Sequence, residues 1–136
     1  MCTVLVAGDD VVLRSSMRSI LTQAGVNTVV VESGPEALLA VRQQAFDMVF
    51  LDVLTSALNG LETLRLLHSS DPDLKVCLLT VLSDLDLLAQ AAGDRAVGFL
   101  AKPVERRSVL EVLEMWCGFD TRQTRELRSW LHPVGA

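Results

Sequence analysis

Short, nearly continuous apolar runs alternate along this chain with longer segments in which apolar residues return every three or four positions. The runs fall at about 3–8, 28–32, 47–52, 75–80 and 97–101. Strands of a parallel sheet covered by helices on both faces have this character, because both of their faces are buried. The first helical pattern, about 12–24, sets Leu13, Met17, Ile20 and Leu21 on one stripe and stops at Gly25. The second opens on Ser33-Gly34-Pro35-Glu36, a cap with proline in the first turn, and turns Ala37, Leu38 and Val41 inward. The third begins around Gly60 and ends before Asp71-Pro72; a fourth spans about 83–93 and a fifth about 104–116. In the fourth, Leu85, Leu88, Ala89 and Ala92 suffice for one inward stripe. Leu82, Leu87 and Ala91 are then apolar beyond what that stripe needs.

Five such βα units predict an α/β fold, a flavodoxin-like doubly wound parallel sheet of strand order 2-1-3-4-5, since βαβ crossovers are right-handed. In that order a crevice opens at the carboxyl ends of the first and third strands. Asp9, with Asp10, ends the first run; Asp52 ends the third, Thr80 the fourth, and Lys102 the fifth, just before Pro103. A carboxylate can attack a phosphoryl group and become an acyl phosphate. The rest of such a site supplies positioning and charge neutralisation. On this reading Asp52 is the nucleophile and Asp9 holds Mg²⁺, a hard cation that takes oxygen ligands and keeps several waters. Lys102 balances the equatorial oxygens, and the Thr80 hydroxyl donates to one of them. Singly, Asp52 could be a helix cap, Lys102 a solvated lysine and Thr80 a strand end. Convergence of all four argues for a site.

At 136 residues the chain is expected to form one domain over 1–117, followed by a tail over 118–136 that is helical or linker. In that tail Leu127, Trp130 and Leu131 share a helical face and Arg122, Arg125 and Arg128 line another, a pattern expected to dock on its own domain, with binding to a partner or a linker of a longer protein as the alternatives. Half of the residues are hydrophobic, yet no run reaches the length of a membrane span, and the amino terminus lacks a basic signal region, so a cytoplasmic location is expected. A net charge of -5 disfavours nonspecific nucleic-acid binding. Cys2, Cys77 and Cys117 are odd in number and show no metal-ligand spacing; Cys77 reads as a small buried hydrophobe. His68 and His132 lack companions and read as surface residues.

From about Thr3 to Trp116 the chain resembles the receiver domain of two-component response regulators, the CheY-like superfamily. The resemblance rests on Val4-Leu5-Val6-Ala7-Gly8-Asp9-Asp10, Ser33-Gly34-Pro35-Glu36-Ala37-Leu38, Phe50-Leu51-Asp52, Asn59-Gly60, Thr80 and Gly98-Phe99-Leu100-Ala101-Lys102-Pro103. It implies phosphotransfer to Asp52 from a histidine kinase or phosphotransfer protein. The chain would be a phosphoacceptor with at most slow self-dephosphorylation, not an enzyme. Thr80 and Phe99 would be the switch pair, and Pro103 would follow a cis peptide bond that aims Lys102. Asp9, Asp52 and the backbone carbonyl of Leu54 would hold Mg²⁺, with Asp10 a further candidate. A stand-alone receiver would signal to a downstream protein or a second copy through its fourth helix, fifth strand and fifth helix. A charge placed at Leu87 is then expected to weaken that contact.

Several positions depart from the family pattern. Helix spacing, anchored on Arg14 and Gly25, puts Gly8 at the usual first acid, Asp9 at the second, Asp10 one place later and Val11 at the usual proline. A one-residue slip would restore Asp9 and Asp10 as the pair at the expense of the helix match. The first register predicts weak Mg²⁺ binding. Thr55 and Ser56 replace a usual Met-Pro, Val81 narrows the approach to Asp52, and Arg95 stands at a usual glycine. Leu54 and Leu82 flank the path of the hydrolytic water and cannot orient it, which predicts a slowly decaying phospho-form. Leu54 also occupies the place where an aspartate-based phosphatase needs its second acid. The rival reading is a pseudo-receiver, a phosphorylation-independent protein-binding module on the same fold.

Overall fold

The computed structural model describes residues 2–53, 60–81 and 85–118. Its elements are β1 (Thr3–Ala7), α1 (Val11–Gln23), β2 (Asn27–Val31), α2 (Gly34–Gln43), β3 (Met48–Asp52), α3 (Gly60–Ser70), β4 (Val76–Thr80), α4 (Leu85–Gly93), β5 (Gly98–Ala101) and α5 (Arg106–Trp116). The five strands are parallel in the order β2-β1-β3-β4-β5. This is the flavodoxin-like arrangement that the alternation of patterns predicts.

The continuous apolar runs follow from two cores on opposite faces of the sheet. Alternate residues of each strand point to opposite sides. Val4, Val6, Phe50, Cys77, Leu79 and Leu100 pack on one side against Leu13, Met17 and Leu21 of α1 and Val109, Leu110 and Leu113 of α5. Leu5, Ala7, Val49, Leu51, Val76 and Leu78 pack on the other against Ala37 and Ala40 of α2, Leu64 and Leu67 of α3 and Ala91 of α4. Burying each leucine- or phenylalanine-sized side chain contributes about 1.5–3 kcal/mol, so the central strands anchor the molecule.

The helix ends obey local chemistry. Asp10 caps α1 by accepting from the Val12 and Leu13 amides, and Ser33 caps α2 by accepting from the Glu36 amide. At the far end of α1 the Gly25 amide donates to the Thr22 carbonyl and the Val26 amide to the Leu21 carbonyl, with Gly25 at φ 81°. That is a Schellman cap, which requires a left-handed residue. The end of α4 repeats it, with Arg95 donating to Ala92, Ala96 donating to Ala91, and Arg95 at φ 66°.

Two sequence expectations are corrected. Ala91 is fully buried while Ala89 and Ala92 are exposed, so the inward face of α4 is turned from the stripe read in the pattern. Almost every position of that helix is apolar, and periodicity then sets no phase. His68 is buried rather than at the surface: Nδ1 lies 2.9 Å from the Asp94 carbonyl oxygen and Nε2 3.0 Å from that of Leu74. Close approach to these two backbone carbonyls holds the ring inward and ties α3 to the end of α4. Expectations for Leu54, Thr55, Ser56, Asn59, Leu82, the side chain of Leu87, the tail beyond Gly118 and His132 fall outside the described residues.

Candidate functional site

Parallel registration assembles the crevice. Ala7 pairs with Leu51, Asp52 with Leu79 and Thr80 with Ala101. The residues that end these strands therefore leave the sheet at one edge, side by side. Gly8 lies so close to Asp52 that a Cβ built on it would stand 2.9 Å from the Asp52 Cβ and 3.4 Å from Oδ2.

Asp52 is 1 % exposed, and the Lys102 ammonium donates to its Oδ1 at 2.5 Å. The Lys102 amide donates to the Thr80 carbonyl at 3.0 Å, continuing the β4–β5 pairing one residue past the strand, and the Lys102–Pro103 peptide bond is cis. Thr80 is buried, with Oγ1 donating to the Val81 carbonyl at 3.2 Å. Phe99 is half-buried against the core on the α3 and α4 side, and Val81 is exposed. A cleft of about 330 Å³ beside the site is lined by Asp10, Val12, Leu13, Ser16, Lys102, Pro103 and Val104.

The acidic side of the crevice is thinner than the strand-end pattern alone suggests. Asp9 is exposed and directly follows Gly8. Asp10 turns away into the helix cap, with Oδ1 2.9 Å from the Val12 amide nitrogen and 3.3 Å from that of Leu13. Gly8 brings no side chain at all. Its carbonyl accepts from Arg14 Nη1 at 2.9 Å, and Arg14 also pairs with Glu32 at 3.6 Å. Sequence reasoning used Arg14 only as a spacing anchor and gave its side chain no role. The signal was an arginine about one turn into the helix that follows β1, within reach of the carbonyl just past the strand.

Gly60, the first residue of α3, closes the loop after Asp52. Its amide donates to the Val53 carbonyl at 2.8 Å, and an added Cβ would lie 2.5 Å from the Val53 Cα. Only glycine permits that approach. Carboxylates are the donors a hard divalent cation takes, and Asp52, with Asp9 one residue past Gly8, could offer them at this end of the sheet. Mg²⁺ commonly takes one or two carboxylates and keeps its waters. No sulfur or imidazole stands among the described residues that line this end of the sheet.

The sequence from residue 4 to residue 114 matches the family model of the response regulator receiver domain. The chain belongs to that family. Among curated proteins this receiver is 30 % identical over 111 residues to the transcriptional regulatory protein ZraR of Escherichia coli, covering 82 % of this chain and 25 % of ZraR. It is 32 % identical over 110 residues to the response regulator protein FleR of Pseudomonas aeruginosa, covering 81 % of this chain and 23 % of FleR. The receiver thus spans about a quarter of the length of these relatives. Among solved structures, the chemotaxis protein CheY4 of Vibrio cholerae superposes with a TM-score of 0.81 over 85 % of this chain and 98 % of that one, at 23 % identity. The receiver domain of the sensor histidine kinase PA1611 of Pseudomonas aeruginosa, 20 % identical with a TM-score of 0.79 over 86 % of this chain and 98 % of that one, was solved with magnesium coordinated in its active-site cleft. Among the described residues no helix is long and apolar enough to cross a membrane.

Proposed function

We propose that this receiver accepts a phosphoryl group on Asp52 from a phosphohistidine donor, a histidine kinase or phosphotransfer protein, and converts it into a change of protein-binding surface. The ion pair between Lys102 and the buried Asp52 carboxylate carries the reading. Asp52 oxygen forms the new O–P bond as the P–N bond to the donor imidazole breaks, and the imidazole keeps that bond's electron pair. Lys102 moves its charge from the carboxylate to the equatorial oxygens of the bound phosphoryl group. The Thr80 hydroxyl exchanges the Val81 carbonyl for a phosphoryl oxygen, and Phe99 follows into the space beside it. Asp9 and Asp52, with the Leu54 backbone carbonyl, would hold Mg²⁺, which when bound neutralises charge shared between carboxylate and phosphoryl oxygens.

The signal would leave through α4, β5 and α5, toward a downstream protein or a second copy. Phosphorylation with acetyl phosphate and Mg²⁺, or saturation with beryllofluoride, is expected in the wild type and absent in Asp52→Asn. Absence from both would overturn this reading.

One observation favours the rival, a phosphorylation-independent binding module: Gly8 brings no acid beside Asp52, and Asp10 serves as a helix cap. On the leading reading Mg²⁺ still binds, weakly, and Asp9→Ala abolishes what binding there is.

A further inference from the structure

The pole opposite Asp52 holds a second set of chemically capable side chains. Cys2 immediately precedes β1, Asp47 immediately precedes β3 and Cys117 immediately follows α5. One sulfur or carboxylate oxygen from each lies within 4.8 Å of the other two. Parallel pairing explains Cys2 and Asp47, since β1 and β3 enter the sheet together. The Asp47 amide donates to the Thr3 carbonyl at 2.8 Å, and its Oδ2 accepts from the Thr3 amide at 2.7 Å. The packing of α5 against the same core brings Cys117, which is joined to Cys2 as a disulfide with Cα atoms 6.2 Å apart. Both cysteines are half-buried and Asp47 is exposed, so solvent and reductant reach the group.

We propose that Cys2, Cys117 and Asp47 form, on reduction of the disulfide, a binding site for a thiophilic divalent cation of the Zn²⁺ class. Two thiolates and a carboxylate, with water in the fourth position, are a tetrahedral set that zinc favours and magnesium does not. Zinc bonds of about 2.3 Å to sulfur and 2.0 Å to oxygen place tetrahedral ligands roughly 3–4 Å apart. The group already lies inside an envelope of that scale, and breaking the S–S bond lets the sulfurs separate to it. The Thr3 amide fixes the carboxylate, as partners behind metal ligands commonly do. A dithiol reductant supplies two electrons and two protons; the S–S bond breaks, two thiols form and the reductant leaves as its own disulfide. The cation then displaces both thiol protons. Oxidation closes the site and reduction opens it. The third cysteine, Cys77, takes no part: it is buried in the core beneath α1 and α5, and desolvation pushes its thiol up to about 12.

The test uses the full chain, reduced by a phosphine under inert gas, with Co²⁺ as probe. One equivalent of Co²⁺ should give a thiolate-to-cobalt charge-transfer band with release of about two protons per ion, and Zn²⁺ should then displace the cobalt and abolish the band without further proton release. Oxidised protein should give no band until it is reduced. Cys2→Ser and Cys117→Ser should each lose the band, and Asp47→Asn should weaken binding by about tenfold or more. Asp52→Asn should leave it unchanged, which separates this pole from the phosphoacceptor site. A reduced wild type with no charge-transfer band at stoichiometric Co²⁺ would overturn the site, whatever the variants do. So would a band that survives Cys117→Ser. Unchanged affinity in Asp47→Asn would overturn the three-ligand assignment.

Discussion

The Asp52 carboxylate is held out of water, and the Lys102 ammonium lies against it with a side chain 19 % exposed. Desolvating a charge is expensive, and the partner makes it tolerable. Lys102→Ala should therefore cost about 3 kcal/mol, the low end for breaking a buried pair, because the lysine keeps some solvent. Asp52→Asn removes the buried charge itself and should cost less. Urea denaturation of the two variants checks the order; a Lys102→Ala variant as stable as wild type would mean that the pair does not form. Gly60 is held by a different constraint. A methyl group there meets the Val53 Cα at 2.5 Å and the carbonyl oxygens of Val53 and Asp52 at 3.1 and 3.2 Å, which are backbone atoms without freedom to swing aside. Gly60→Ala should cost about 1–3 kcal/mol through overpacking. It should also reduce beryllofluoride binding, because the backbone that yields carries Asp52.

Helix ends show how sequence and element agree or conflict. The Schellman caps of α1 and α4 have the same two hydrogen bonds, one built on Gly25 and the other on Arg95. A side chain in the left-handed region costs roughly 1–2 kcal/mol relative to the right-handed one, and glycine carries no such penalty. The greater freedom of glycine in the unfolded chain offsets part of the gain. Arg95→Gly should then stabilise the domain by about 1 kcal/mol, seen as a higher urea midpoint with an unchanged slope. The exposed Arg95 side chain has no ion pair among the described residues, so little is lost with it. A lower midpoint would show that Arg95 makes a contact worth more than the strain. The same element marks a limit of pattern reading: α4 is apolar almost all round, so its buried face emerged only from packing, with Ala91 inside.

At the scale of the whole molecule, what was legible followed from period and topology. Continuous apolar runs announced strands buried on both faces, and the strand order then brought Asp52 and Lys102 together, although 50 residues separate them in sequence. The Gly8 departure was legible in part: helix spacing from Arg14 and Gly25 favoured it while leaving a one-residue slip open, and the close approach of Gly8 to Asp52 came only from the structure. Less visible was anything set by side-chain pairing across the fold without a local spacing, such as His68 between two carbonyls. The Cys2–Cys117 bond is the extreme case, with a sequence separation of 115. Such a bond closes nearly the whole described domain into a ring. Chain-entropy reasoning gives about 4.7 kcal/mol for a 100-residue loop, and measured disulfides more often contribute 2–4 kcal/mol. Reduction by a phosphine should therefore lower unfolding stability by about 2–4 kcal/mol, measured by urea denaturation of oxidised and reduced protein. Because the bond acts on the unfolded ensemble, the reduced chain should also expose more surface on unfolding and show a steeper dependence on urea. Cys117→Ser should reproduce both changes without reductant. Equal midpoints and slopes in the two redox states would mean that the two sulfurs are not bonded in solution.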